Sequence, residues 1–370
     1  MLGYFALLIL FLLFFSFSFY FGMREWLRPQ DAAPVPVDVE YVRAENYFGV
    51  SFRRNMREWL KTARALPPEE PRDGSVRAVL ERPNGERILC LAGGCFGGRG
   101  EREELIYSER DLCLAEGAVF HKEIYSLGKV ETGAGAQLQA VAADGEISLG
   151  VDNAVSRWVD ARHKILLRRG TVVRSRVSSM ESIELERQVS AQSLFAPLIF
   201  TADYRPVPSS PASGKPEERP PAELSVQAGE VSPAYLNGIP CSRLAEETWL
   251  VRGNLELPAG TCVDTNLVVK GTLCSGPHCC FSADVKAGGI ELGPSNRIVG
   301  NLVSGSVLEI GQDSLVGESI IAEGDILLRA GVRVGGGGRQ AVVSAGRDVR
   351  MEANVAVCGK IAAGGMVITI

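Results

Sequence analysis

Cysteine and histidine are the residues of this 370-residue chain whose types and spacing first invite chemistry. In Cys274-Ser-Gly-Pro-His278-Cys279-Cys280, three thiols and an imidazole fall within seven residues, with Cys262 a short distance upstream. Thiolate and imidazole suit zinc. The spacing is Cys-x4-Cys-Cys rather than Cys-x2-Cys, however, and no second pair answers it. The sequence therefore assigns no metal here, and expects one of these thiols to face a core as a small hydrophobe. Cys90 and Cys95 raise the same thought with the same lack of support. Of the three histidines, His121 and His163 lie in the first half of the chain and His278 in the second. A transferase built on hexapeptide repeats would need one of them beside a protruding loop. A Gly-x-Ser-x-Gly nucleophile elbow is absent. The Gly-rich run Gly93 to Gly100 lacks both the Gly-x-Gly-x-x-Gly spacing and a Lys-Ser/Thr ending, so it reads as a loop rather than a phosphate cradle. Asp313, Glu318, Glu323 and Asp325 read as a solvated face rather than an acid/base pair. Polysaccharide chemistry would bring aromatic platforms, which the repeats do not display. The expectation is a protein without catalytic residues and without a cofactor.

The elements that carry these residues are set by a repeat. From Asp111 onward, pairs of the form apolar-x-apolar recur at Leu112/Leu114, Val130/Thr132, Ile147/Leu149, Ile165/Leu167 and Ile183/Leu185, at steps of 17 or 18 residues. A second series starts at Leu255, Leu273, Ile290, Leu308, Ile326, Val349 and Met366, with steps of 17 or 18 and one of 23. The long step absorbs an insertion, Gly335 to Gln340, expected to extrude at a corner. Seventeen or eighteen residues are too few for a two-helix repeat, which needs about 33 or more. They suffice for three short strands and three tight turns, with alternate residues facing inward. Gly300, Gly305, Gly311, Gly317, Gly324 and Gly331 punctuate the second series where such corners fall. The fold class is therefore all-β: a triangular β-solenoid in two blocks, 76–203 and 225–370. The Pro-, Ser- and charge-rich stretch 204–224 reads as a linker. Upstream, Val76 to Leu80 and Arg87 to Leu91 read as a hairpin around Pro83-Asn84-Gly85.

Residues 1–23 carry no charged side chain and are almost wholly apolar, long enough to cross a bilayer as a helix. Arg24 and Arg28 follow the span, which puts the remainder of the chain on the cytoplasmic side of an inner membrane. Nine cysteines, an odd number scattered through a long chain, agree with a reducing compartment. Residues 24–39 form a tether. Residues 40–66 read as an amphipathic helix whose stripe includes Phe48, Phe52, Met56, Trp59 and Leu60. That stripe is expected to cap the open end of the following solenoid. Alternatively it rests on an anionic membrane surface, with Phe48, Phe52, Trp59, Arg53, Arg57 and Lys61 as the contact residues. A net charge of -5 gives no reason to expect nucleic acid.

The phrases GNLELPAG (253–260), VGNLVSGSVLEIGQDSLVGESIIAEGDILL (299–328) and VAVCGKIAAGG (355–365) carry a resemblance. Over Asn254 to Gly365 the chain is similar to the bactofilins, polymer-forming bacterial cytoskeletal proteins. That resemblance implies a right-handed, three-sided β-helix that assembles end to end without nucleotide, often at the membrane. The two blocks, the linker between them and the membrane span depart from that family's pattern. The last residues, including Met366, Val367, Ile368 and Ile370, are still strand-like, and an open stack end exposes unpaired backbone and an apolar core. Another copy, the first block or a partner protein should cover it. Function is expected to be scaffolding, by self-association or by docking of envelope proteins. A left-handed hexapeptide-repeat acyltransferase is the competing class, since a six-residue grid fits both.

Overall fold

The computed structural model describes residues 46–66, 76–96, 101–204, 234–236, 239–245, 248–336 and 338–370, together with Phe11, Phe19 and Tyr20. The expected span 1–23, the tether and the linker lie outside the described residues. Among the described residues no helix is long and apolar enough to cross a membrane.

The remainder is a β-solenoid of about 13 turns. Its coils are built as the periodicity requires. Inward residues of successive coils sit in register: Leu112 on Val130, Ile147 on Ile165, Ile165 on Ile183. In the second block Leu255, Leu273, Ile290, Leu308, Ile326 and Val349 stack in the same way. The final coil joins at Val367 rather than Met366. Val367 is buried while Met366 is only half-buried, as the period of two along a strand demands. Two further stacks complete the triangle, one through Cys262, Cys280, Arg297, Leu315 and Arg333, the other through Leu267, Val285, Leu302, Ile320 and Val343. The insertion 335–340 leaves the coil at a corner, with Gly335 and Gly336 at positive φ, and the register resumes with Ile326 on Val349.

The corners show why short polar residues recur there. Asn153 and Asn296 are each about 1% exposed, yet both are fully engaged. Asn296 accepts from the Cys279 amide at 2.6 Å and donates to Ser275 Oγ at 2.6 Å. Asn153 accepts from the Ala136 amide at 2.7 Å and donates to Thr132 Oγ1. The same device thus holds one corner in each block.

Stacking begins earlier than the periodicity suggests. Gly94–Phe96, within the stretch read as a loop, is a strand that lies parallel to Leu112–Leu114. Gly94, where the pattern would put an apolar residue, hides it from a search for apolar pairs. Before it, the expected hairpin is present as Val76–Glu81 and Arg87–Leu91, with Gly85 at φ 83°. Arg64–Ala65 adds a third antiparallel strand. A matching antiparallel group, Ala234–Leu236, Ile239–Ala245 and Thr248–Val251, opens the second block. Each block therefore begins with antiparallel strands that extend one face of its stack.

The expected helix is observed as α1, Tyr47–Thr62. It does not cap a stack end. It lies on a lateral face of the first block, packed on Ile88, Cys90, Leu105, Tyr125, Ala140, Ala142 and Trp158, so the end-cap expectation is corrected.

Candidate functional site

The face under α1 is an outward-pointing column. Cys90, Tyr107, Tyr125, Ala142, Asp160 and Ser178 occupy the same register position in successive coils. Outward residues of a solenoid are ordinarily polar, but this column is apolar over four coils. Phe52 and Met56 of α1 pack on it with Ile88, Cys90, Leu105, Tyr125, Ala140, Ala142 and Trp158. Phe52 meets Trp158 edge to face at 5.4 Å between centroids. Burying Phe52 and Met56 contributes about 1.5–3 kcal/mol each.

Polar contacts fix the helix's position. Arg53, 5% exposed, forms ion pairs with Asp160 and, at 2.9 Å, with Asp144. Its Nη2 also donates to the carbonyl oxygens of Ala143 and Asp160, at 2.7 and 3.2 Å. Burial pushes the Asp160 carboxyl above its ordinary range, while Arg53 and the hydroxyl of Ser178, at 2.5 Å, pull it back. Gly49 allows the approach: a Cβ there would sit 2.1 Å from the Asp160 Cγ. Two of the residues proposed to meet a membrane, Phe52 and Arg53, are thus committed to the protein's own core. Trp59 is half-buried under the guanidinium of Arg82, 3.8 Å from its ring centroid. Phe48, Arg57 and Lys61 remain exposed.

The cysteine and histidine motif is taken apart by the fold. Cys279 is buried, its Sγ 3.3 Å from the Pro258 carbonyl oxygen. Cys274 lies in the preceding strand, directed at Glu291 at 3.9 Å. Cys280 is register partner to Cys262. His278 occupies a left-handed corner at φ 59°. Strand and corner between Cys274 and Cys280 send their side chains to different sides of the coil, so the four candidates do not converge. All nine cysteines are free thiols. Burial raises the thiols of Cys262, Cys274 and Cys279, the opposite of an activated nucleophile. His121 lies 3.1 Å from Glu101 and 3.9 Å from Glu103, and this exposed trio is the one His/Cys/Asp/Glu group close enough for a cation among the described residues. His163 is exposed beside Glu181 at 3.4 Å.

The most extensive contact between the blocks is one that the sequence left open among three possibilities. Ser190–Thr201, the last coil of the first block, pairs antiparallel with Ala356–Thr369, the last coil of the second. Ser190 faces Ile368, Ala191 faces Val367, Leu194 faces Ile361 and Phe200 faces Ala356. The apolar core runs through the joint without interruption, from Leu194, Ala196 and Ile199 to Val357, Ile361 and Val367. The terminal strand assigned to self-association is therefore occupied from within the chain: the first block is its cover.

Two threonines pin this joint in matching ways. Thr369 Oγ1 donates to the Glu186 carbonyl oxygen at 2.6 Å and accepts from the Val189 amide at 2.9 Å. Thr201 Oγ1 donates to the Glu352 carbonyl oxygen at 2.8 Å and accepts from the Val355 amide at 2.9 Å. The intervening corner residues Gln188 and Asn354 both take positive φ, 61° and 57°. Each tail thus presents one threonine and one glutamate-to-valine corner to the other, the arrangement of a pseudo-twofold interface.

Set against known proteins, the chain matches no protein family, no curated protein and no solved structure.

Proposed function

We propose that this protein is a non-catalytic scaffold: a stiff rod of two β-solenoid blocks joined tail to tail, tethered to a membrane by residues 1–23 and offering its flat faces to other proteins. The joint between Ser190–Thr201 and Ala356–Thr369 carries the reading. It turns two stacks into one continuous core, whose length rather than any cleft is its main product. About 13 turns at a strand spacing of ~4.8 Å make a rod of roughly 60 Å. The bactofilin-like cadence of the second block supports the same class, in which the coil is a building element. The faces are available for docking. Leu250, Val268, Lys286, Val303 and Ile321 form a half-buried column, apolar except at Lys286, on the second block, in the position that α1 covers on the first.

The reading is tested by fractionating cells that express the full chain and a chain lacking residues 1–23. The full chain should resist alkaline carbonate extraction, and the shortened one should be released. Electron microscopy of the shortened chain should show slender single rods of the stated length. Release of the full chain by carbonate would overturn the tether. Compact threefold particles would overturn the scaffold in favour of an acyltransferase-like assembly.

A further inference from the structure

The joint has the properties of an interface between copies, although it closes within one chain. Its two halves are alike: threonine, glutamate carbonyl and valine amide on each side, a left-handed Gln188 or Asn354 corner on each side, and antiparallel strands between. Antiparallel pairing of two like tails is how isologous contacts are built. Nothing in the contact requires that both tails belong to one polypeptide. We propose that the joint is exchangeable, and that its alternative occupant is a second copy of this chain: the first-block tail of one copy pairs with the second-block tail of another. This extends the scaffold reading without depending on the membrane tether.

Chain connectivity decides which form prevails. Residues 205–233 must lead from the joint, where the first block ends, to Ala234 at the far end of the second block. Along one face these points are nine strand-to-strand steps apart, through Leu194, Ile361, Val343, Ile320, Leu302, Val285, Leu267 and the strands 248–251, 239–245 and 234–236. At ~4.8 Å per step this is roughly 43 Å. Twenty-nine residues reach that far with ease, up to ~100 Å when extended. The closed form is thus allowed, and at low concentration the intramolecular joint is favoured because its effective concentration is on the order of millimolar. Confinement of many copies in one place raises the competing term, and the same hydrogen bonds then join neighbours.

The test uses full-length chains in detergent. One variant carries Leu194→Asp, which puts a charge into the first-block tail; the other carries Ile361→Asp, which does the same to the second-block tail. Each has lost its own joint, but the mixture retains one intact tail of each kind. Exchange predicts that mixing, and not either variant alone with itself, yields a one-to-one dimer of doubled mass by native mass spectrometry. Should either variant fail to fold, a wild-type sequence with residues 205–233 cut to eight residues serves instead. Eight residues span at most ~30 Å, too short for the closed joint, so exchange predicts dimers or longer chains in proportion to concentration. A mixture that stays monomeric, or a shortened chain that does, would overturn the proposal.

Discussion

A guanidinium removed from water costs several kcal/mol unless charge and hydrogen bonds replace its hydration. Arg53 meets that condition with two carboxylates and two carbonyl oxygens. Arg53→Ala would leave Asp160 buried and facing Ser178 alone, a loss of ~3–5 kcal/mol by analogy with broken buried pairs. The expected consequence is release of α1, which bares Cys90 beneath it. Cys90 in the native protein should resist iodoacetamide at pH 8 while exposed Cys95 and Cys262 react; in the variant, peptide mass spectrometry should find Cys90 labelled at least tenfold faster. Equal protection would mean that the ion pair does not hold the helix. Cys90 also makes stability depend on pH. Burial, with a smaller contribution from Glu109, pushes its thiol up to about 11. An unfolded chain releases that proton near pH 8.5–9. Between about 9 and 11 the native state therefore binds more protons than the unfolded one, and stability falls as pH rises through that window. Urea unfolding at pH 8 and pH 10.5 should show the fall, and Cys90→Ala should lessen it.

At the scale of elements, α1 docks through a narrow allowance. Gly49 lies where the helix crosses Asp160, and Gly49→Ala would put a methyl group 2.1 Å from that carboxyl carbon. The helix would have to lift or the carboxylate turn away from Arg53. Limited trypsin digestion should then cut at Arg53, Arg54 and Arg57 in the variant while the solenoid strands stay resistant; a protected helix would contradict this packing. The coil corners offer a second measurement. Asn153→Ala and Asn296→Ala each strand a buried amide, that of Ala136 or Cys279, at ~1–3 kcal/mol for the unsatisfied group. Both should lower the urea midpoint. The two losses should add, because the sites lie in different blocks and share no partner.

For the whole molecule, the joint reverses an intuition about the C-terminus. A strand-like terminus invites the expectation that deleting it abolishes self-association. Here Val367 and Thr369 cover the last coil of the first block, so deleting Met366 to Ile370 uncovers an edge. Sedimentation velocity should show the truncated protein associating more than the intact one. A truncated protein that remained monodisperse would show that this strand does not seal the first block.

The coil was legible from sequence because it depends on local alternation. Apolar-x-apolar pairs at 17 or 18 residues admit a stack of short strands, and Ile147, Ile165, Leu273 and Ile326 lie where that spacing puts them. Gly94–Phe96 escaped because a strand made partly of glycine has no apolar signature. The site was less legible. The stripe on α1 announces a buried face but not what buries it, and only the stacking of Cys90, Tyr125 and Ala142 creates the surface it covers. Cys274, His278, Cys279 and Cys280 are near neighbours in the chain, yet a corner and a strand pleat turn them apart, a separation that spacing in sequence does not encode. The cover for the last strand was left open for a similar reason. Pairing between Ser190–Thr201 and Ala356–Thr369 joins segments more than 150 residues apart, and their complementarity exists only once both solenoids have formed. Local periodicity determined the coil; the meeting of two finished coils decided where the molecule closes.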